Sequence, residues 1–353
     1  MERALALAWR GWGRVGRNPL VGAVVLRDGA LVGEGFHAEF GGPHAEVLAL
    51  QAAGERARGA DLVVGLEPCA HHGKTPPCTD AIAAAGVRRV VFAAPDADPV
   101  ARGGADILRG VGVEVQGGLL EPEARAQNAL FFHRFSEAGR QRPFVALKLA
   151  MSLDARIADR HGHSRWVSAT EARDFVQWLR AGFEAIAVGG GTARADDPSL
   201  TVRGAVQPVR PPLRVVLDRR AELPPASRLA RTARETPTLA LLGRDTPPAT
   251  AAALRETGVE VGVADGPPEA LAELARRGVA SVLVEGGGVV AGRMLEAGVV
   301  DRLYLVVAPL WLGEEGVSAF PGRPGQAIED VARWRTVERR ALGDDTLLVM
   351  DRA

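Results

Sequence analysis

Along this chain the spacing of apolar residues switches repeatedly between the helical and the strand period, and each switch marks an element. The Ala/Leu-rich residues 2–12 predict a helix, and the β-rich run 22–26 with residues 31–35, either side of Asp28-Gly29, predicts a hairpin. A helix over about 44–54, the apolar run 61–66, a helix over 77–85 closed by Gly86, and a strand over 89–93 follow. This alternation is that of an α/β sheet. A helical segment spans 122–137. The polar stretch 138–143 then precedes a new β-rich run, 144–149, so the domain boundary is expected at 143/144. Beyond it the pattern predicts a helix over 169–181, strands over 185–188, 213–217 and 238–242, a helix over 268–277, and strands over 281–285 and 303–309. That is a second α/β domain. The Pro-rich patches 208–212, 224–225 and 247–248 fall between elements, where a fixed φ suits connectors. No period of about 20–50 residues repeats, so a solenoid is unsupported.

The length of 353 residues agrees with two domains, 1–143 and 144–353, at roughly 100–200 residues each. Forty-three Lys plus Arg balance forty-three Asp plus Glu. No bulk positive field is therefore available to hold nucleic acid or an anionic membrane, and a small-molecule substrate is the expected partner. The chain has two cysteines, and its charged start (Glu2, Arg3) lacks the layout of a secretory signal, so the cytoplasm is the expected compartment. The longest apolar stretch, 303–312, is interrupted by Pro309 and falls short of the roughly 20 residues a membrane helix needs. A homo-oligomer is left open.

Candidate chemistry concentrates in two places. His44 begins a predicted helix with Glu46 two residues on, and both cysteines, Cys69 and Cys78, lie in one segment between a strand and a helix. One His and two Cys suit a catalytic zinc, which takes three protein ligands and keeps a fourth position for water. Glu46 sits where it could shuttle that water's proton, as the general acid/base of zinc deaminases does. Pro77 suits a helix start, which puts Cys78 at the positive end of the helix dipole and favours its thiolate. Each piece alone is a weak signal; their convergence carries the reading. In the second half, glycines follow predicted strands at Gly189-Gly190-Gly191-Thr192 and at Gly286-Gly287-Gly288. Such turns let backbone N–H groups approach a cofactor pyrophosphate, with a helix N-terminus adding favourable field. Residues 286–291 satisfy Gly-x-Gly-x-x-Ala, but too little chain follows for a standard Rossmann domain, which opens with that turn.

The segments 18–22, 35–37, 43–46 and 67–78 together resemble the deaminase half of the bifunctional riboflavin-biosynthesis deaminase/reductase family. Ordinary cytidine-type deaminases separate their cysteines by two residues, whereas here eight intervene, including Gly73-Lys74-Thr75-Pro76-Pro77. The resemblance implies a cytidine-deaminase-like α/β/α domain with His44, Cys69 and Cys78 on Zn2+ and Glu46 as proton shuttle. It further implies Asn18 on the pyrimidine, with His37, His71 and Lys74 along the base and phosphate side. Segments 148–154, 189–203 and 285–288 resemble the family's reductase half, whose fold is that of dihydrofolate reductase. They imply NADPH contacts at Ala150, Trp166, Thr192, Asp196 and the loop Gly287, Gly288, Val289, Val290, Ala291, Gly292 and Arg293. Substrate contacts are implied at Ser164, Arg180, Leu200, Arg203 and Glu285, with Lys148 nearby. Arg180 and Arg203 suit a ribose phosphate, because guanidinium forks bind phosphate oxygens in pairs.

Three residues depart from the family's usual pattern: Arg17 for Pro, Ala70 for Ser, and Ala155 for Gly, the last in a turn expected to be locally altered. The function implied is hydrolysis of an amino group on a pyrimidine ribosyl phosphate, followed by reduction of the ribosyl chain with NADPH. The resemblance points to NADPH over NADH, and one feature agrees: no acidic residue about 20 positions beyond Gly286–Gly288 closes a second strand to hold a free 2′-hydroxyl. Arg194 and Arg219 are candidates for the 2′-phosphate. A rival reading joins another nucleobase or nucleoside deaminase, of cytidine, guanine or tRNA adenosine, to an unrelated nucleotide-binding domain; the neutral charge weighs against tRNA and the cysteine spacing against all three. A second rival makes zinc a structural clip, but three ligands with an open position favour a catalyst.

Overall fold

The computed structural model describes every residue except 74, 75, 323, 324, 326, 330, 332 and 353. The chain divides into two units, Met1–Glu137 and Ala138–Ala353. The first holds strands β1 (Gly22–Arg27), β2 (Ala30–Phe36), β3 (Asp61–Leu66), β4 (Arg89–Ala94) and β5 (Glu114–Gly117), in the order β2-β1-β3-β4-β5. The predicted hairpin is β1 and β2; β3, β4 and β5 run parallel to one another. Alternate residues of the buried strands face opposite layers. Leu62 and Val64 pack with Ile82, Leu108 and the helix Ala45–Ala53, whereas Val63 packs with Val24, Val91 and Leu7 of the helix Glu2–Ala8.

Two glycines seat the site-bearing helix. A Cβ at Gly33 would stand 2.3 Å from the Ala49 carbonyl oxygen, and one at Gly35 would stand 2.6 Å from that of Ala45. Only glycine lets the helix Ala45–Ala53 lie directly on β2, and this fixes where His44 and Glu46 project. The helical segment expected over 122–137 is divided into Glu121–Gln127 and Ala129–Phe135, with Glu137–Gln141 after it. Asn128 divides the first two: its Oδ1 accepts from Leu20 N at 2.7 Å and its Nδ2 donates to Leu20 O at 3.0 Å, clamping the junction to the segment before β1.

The second unit contains β6 (Phe144–Ser152), β7 (Arg156–Ala158), β8 (Ala185–Gly189), β9 (Leu213–Asp218), β10 (Thr238–Leu242), β11 (Glu260–Val263), β12 (Ser281–Glu285), β13 (Arg302–Ala308), β14 (Val317–Ser318), β15 (Trp334–Leu342) and β16 (Asp345–Arg352). Nine of these form one sheet in the order β11-β10-β9-β8-β12-β6-β13-β16-β15. The strands from β11 to β13 are parallel, and β16 and β15 close the far edge antiparallel. The chain thus starts at β6, works outward from β8 to β11, and returns to insert β12 between β8 and β6. That reversal places the carboxyl ends of β8 and β12 side by side, where open α/β sheets bind ligands. Among the described residues, no helix is long and apolar enough to cross a membrane.

Candidate active sites

In the first unit His44 caps the helix Ala45–Ala53 from an extended backbone, and Glu46, in its first turn, is 4% exposed. Cys69 lies just past β3, and Cys78 opens the helix Cys78–Ala85 behind Pro77. These three side chains converge. His44 Nδ1 stands 3.1 Å from Cys78 Sγ and 3.5 Å from Cys69 Sγ, and the three donor atoms lie within 4.8 Å of one another. Neighbouring ligands on one tetrahedral zinc, with bonds of about 2.0–2.3 Å, are spaced in this range. The Cys78 backbone N–H donates to Cys69 Sγ at 3.3 Å. A hydrogen bond with the Cys78 thiol, then His44, pulls the Cys69 thiol down to about 4, while the same bond and burial push Cys78 up. His44 is raised, chiefly by its hydrogen bond with Cys69. A thiolate is therefore stabilised before any cation arrives, and the donor set fits zinc with three protein ligands.

Burial pushes the Glu46 carboxyl up to about 7, so it can both take and give a proton near neutrality. His37 Nδ1 lies 3.1 Å from the Pro43 carbonyl oxygen, which can only accept, so this nitrogen carries the proton. Nε2 then accepts from Asn18 Nδ2 at 3.1 Å, leaving Asn18 Oδ1 to face a ligand. Burial lowers the His37 pKa and keeps that ring neutral. The Nδ1 of His71 is buried with no hydrogen-bond partner. Asn18, His37, His44, Glu46, Cys69 and His71 line one cavity of about 290 Å³. Lys74 lies outside the described residues. The same wall holds residues that sequence reasoning missed: Phe40, Glu67, Asp96, Phe131 and Arg134. Glu67 accepts from the backbone N–H groups of Asp96, Gly103 and Ala105, and burial pushes Asp96 up to about 6. The Asp96-x-Asp98 turn after β4 is the one local signal that could have drawn attention to this wall.

In the second unit the helices Gly190–Asp196 and Gly288–Glu296 start at the adjacent ends of β8 and β12. The backbone N–H of Gly287 donates to Thr192 Oγ1 at 3.1 Å and ties the two glycine turns together. Their glycines have unequal reasons. A Cβ at Gly189 would meet Val290, at Gly190 the Asp218 carboxylate, and at Gly288 the Ser318 carbonyl, so packing requires these three. Gly191 faces open space. A cavity of about 420 Å³ lies here, lined by Gly189–Thr192, Gly287–Val290 and the guanidinium-bearing Arg194, Arg219, Arg220 and Arg293. Asp218 accepts from the backbone N–H groups of Glu222 and Leu223, which shapes the loop that carries Arg219 and Arg220. Oriented N–H groups, a helix N-terminus and four guanidiniums fit the phosphates of a dinucleotide. Ala291 and Gly292 are buried inside their helix, and Ala150, Trp166 and Asp196 do not line this cavity.

Near the centre of the same sheet Lys148 on β6 pairs in register with Glu285 on β12. Arg180 clamps that carboxylate, Nε to Oε1 at 2.6 Å and Nη2 to Oε2 at 2.8 Å, and gives Nη1 to the Thr201 carbonyl at 3.0 Å. Burial alone would raise the Glu285 carboxyl, but Arg180 and then Lys148 hold it below its ordinary value. Burial lowers the Lys148 ammonium. Arg180 is thus largely committed to the protein, whereas Arg203 is exposed. Leu200 sits at φ +49° with its side chain in the core, so its backbone is what it can offer a ligand. Ser164 is half-buried in the loop before the helix Thr170–Ala181, and Trp166 is exposed beneath the Arg173 guanidinium at 4.5 Å.

Comparison with known proteins bears on both sites. Residues 1–94 match the cytidine and deoxycytidylate deaminase zinc-binding region, and residues 143–348 match the RibD C-terminal domain. The riboflavin biosynthesis protein RibD of Aquifex aeolicus is 39% identical over 356 residues, covering 100% of this chain and 97% of that protein. Its counterpart in Escherichia coli is 39% identical over 368 residues, covering 99% and 97%. Among solved structures, a diaminohydroxyphosphoribosylaminopyrimidine deaminase/5-amino-6-(5-phosphoribosylamino)uracil reductase from Thermotoga maritima is 36% identical with a TM-score of 0.81, covering 100% and 97%. One form of Acinetobacter baumannii RibD is 35% identical with a TM-score of 0.80 over the same shares.

Proposed function

The chain belongs to the RibD family of riboflavin biosynthesis proteins, and on that premise we propose how its residues divide the work. It is a bifunctional enzyme, with a hydrolytic, zinc-binding deaminase domain and a reductase domain that uses NADPH. We assign the deaminase to residues 1–143 and the reductase to 144–353. The substrate, as the name of the Thermotoga relative suggests, is a diaminopyrimidine carrying a phosphoribosylamino group. The observation that carries the deaminase assignment is the three-donor set beside a buried Glu46 whose carboxyl sits at about 7.

His44, Cys69 and Cys78 would hold zinc, which when bound supplies a Lewis acid and an acidified water. Asn18 Oδ1 would accept from the pyrimidine, oriented by His37 and, behind it, by the Pro43 carbonyl. Glu46 would take a proton from water at its carboxylate oxygens and return it to the departing amino nitrogen, which leaves as ammonia. His71, with its orphaned Nδ1, would bond the substrate on the same side.

In the reductase the cavity beside Gly191, Thr192 and Gly287–Val290 would hold NADPH, which supplies the hydride that opens the ribosyl ring to a ribityl chain. Arg219 and Arg194 would favour the 2′-phosphate form of the cofactor. Lys148 and Glu285 would face the sugar, with Arg180 holding the Glu285 carboxylate in place. Arg203 would supply a guanidinium for the substrate phosphate. Chelation of zinc from the purified enzyme should abolish ammonia release while leaving NADPH oxidation on the deaminated substrate intact. Loss of both activities together, or of neither, would overturn this division.

A further inference from the structure

The deaminase cavity carries two guanidiniums that the mechanism leaves unused. Arg17 precedes Asn18 directly, and Arg134 lies near the end of the helix Ala129–Phe135; both line the cavity. Three hydrogen bonds knit their two segments together: the pair between Asn128 and Leu20, and Arg134 Nη1 to the Arg17 carbonyl at 2.7 Å. The two side chains are therefore carried on one braced junction, one residue from the amide that faces the pyrimidine. Four carboxylates line the cavity on other elements: Glu46 stands beside the three-donor set, Glu67 bonds three backbone N–H groups, Asp96 Oδ1 accepts from Asp98 N at 2.8 Å, and Asp98 Oδ1 accepts from Val100 N at 2.9 Å. A dianion entering the cavity would avoid those carboxylates. Among the described lining residues, Arg17 and Arg134 are the only guanidiniums.

We propose that Arg17 and Arg134 form the phosphate-binding end of the deaminase cavity and select the phosphorylated substrate over its dephosphorylated counterpart. This rests on the reading that the deaminase acts on a phosphoribosylamino-pyrimidine. Asn18 grips the base, and its neighbour Arg17 reaches the far end of the same molecule. Arg134 both contributes charge and holds the Arg17 backbone. Forked donors suit a phosphate bidentately.

The test measures ammonia release by the full-length zinc-loaded enzyme, with the phosphorylated substrate and with the same compound after phosphatase treatment. Arg17→Ala and Arg134→Ala should each raise KM for the phosphorylated compound about 10–100-fold, the scale of a charged hydrogen bond. Arg17→Ala should keep kcat within about threefold and leave KM for the dephosphorylated compound unchanged. Inorganic phosphate should inhibit the wild type competitively and the Arg17→Ala variant much less. Arg17→Lys should recover part of the loss. Equal KM shifts on both compounds, or none on either, would overturn the proposal. Because Arg17 is exposed, its variant should fold even if Arg134→Ala does not. A wild type that releases ammonia from neither compound would overturn the deaminase reading itself, and the phosphate end with it.

Discussion

Glu46 combines two properties that rarely coincide in a side chain: it is almost fully buried, and the proton transfer proposed for it needs the carboxylate. Replacement by Gln keeps the shape and hydrogen-bonding reach but removes the exchangeable proton. Glu46→Gln should retain about one zinc per chain by elemental analysis and lose deamination by about 10²–10⁴-fold; retained turnover would reduce Glu46 to a packing residue. His44, Glu46, Cys69 and Cys78 were readable from sequence because both cysteines of the chain fall in one segment next to an interpretable strand end and helix start. Arg214 was not. It is 1% exposed; its two Nη groups donate to the carbonyls of Ser199, Leu229, Thr232 and Thr236 and to the Thr232 hydroxyl, acceptors with no mark in the sequence pattern, while its Nε is buried with no partner. The turn at Ala155, expected to be locally altered, keeps a left-handed backbone, φ +56°. An L-residue there costs about 1–2 kcal/mol, partly offset by the entropy that glycine would lose on folding. Ala155→Gly should raise stability by about 0.5–1 kcal/mol in denaturant titration; a destabilised variant would show that the turn carries no strain.

At the scale of elements, the strands and helices with a clean period matched expectation to within a few residues, as β3, β8, β10 and the helix Thr170–Ala181 do. Several elements escaped, among them β5, β11 and the helices Gly104–Gly110 and Pro248–Thr257, and two show why. The β15–β16 hairpin carries Arg335, Glu338, Arg339 and Arg340 along its edge strand, which hides the strand period beneath charges that protect the edge. The apparent single helix over 122–137 ran through Asn128, because the break depends on two bonds to Leu20, 108 residues away in sequence. No local signal reports such a partner. Asn128→Ala leaves a buried N–H and a buried carbonyl at Leu20 unpaired, each worth about 1–3 kcal/mol. The variant should therefore unfold with roughly 2–4 kcal/mol less stability, and Asn128→Asp should lose less because the Leu20 N–H keeps its acceptor. A melting curve unchanged by Asn128→Ala would remove the clamp from the account. The glycine turns divide similarly: Gly189, Gly190 and Gly288 are required by neighbouring protein atoms, and only the fold distinguishes them from Gly191, where an added Cβ would meet nothing.

For the whole molecule, alternation of short apolar runs with helical segments was enough to foresee two α/β units, and the balance of charge was enough to turn attention from nucleic acid to a small molecule. Strand order was beyond reach, since inserting β12 between β8 and β6 joins residues more than 90 positions apart and has no local signature. That insertion shapes the cavity beside the two glycine turns, and the seating of one helix on Gly33 and Gly35 positions His44 and Glu46, so one chain carries a deaminase and a reductase domain. The most direct measurement is mass spectrometry of the pyrimidine product formed by the full-length enzyme, with and without NADPH. Without the cofactor the product should have exchanged one amino group for oxygen and remain otherwise unchanged; with NADPH it should also gain two hydrogens. A product that keeps its amino group, or gains hydrogens with no NADPH present, would contradict the account.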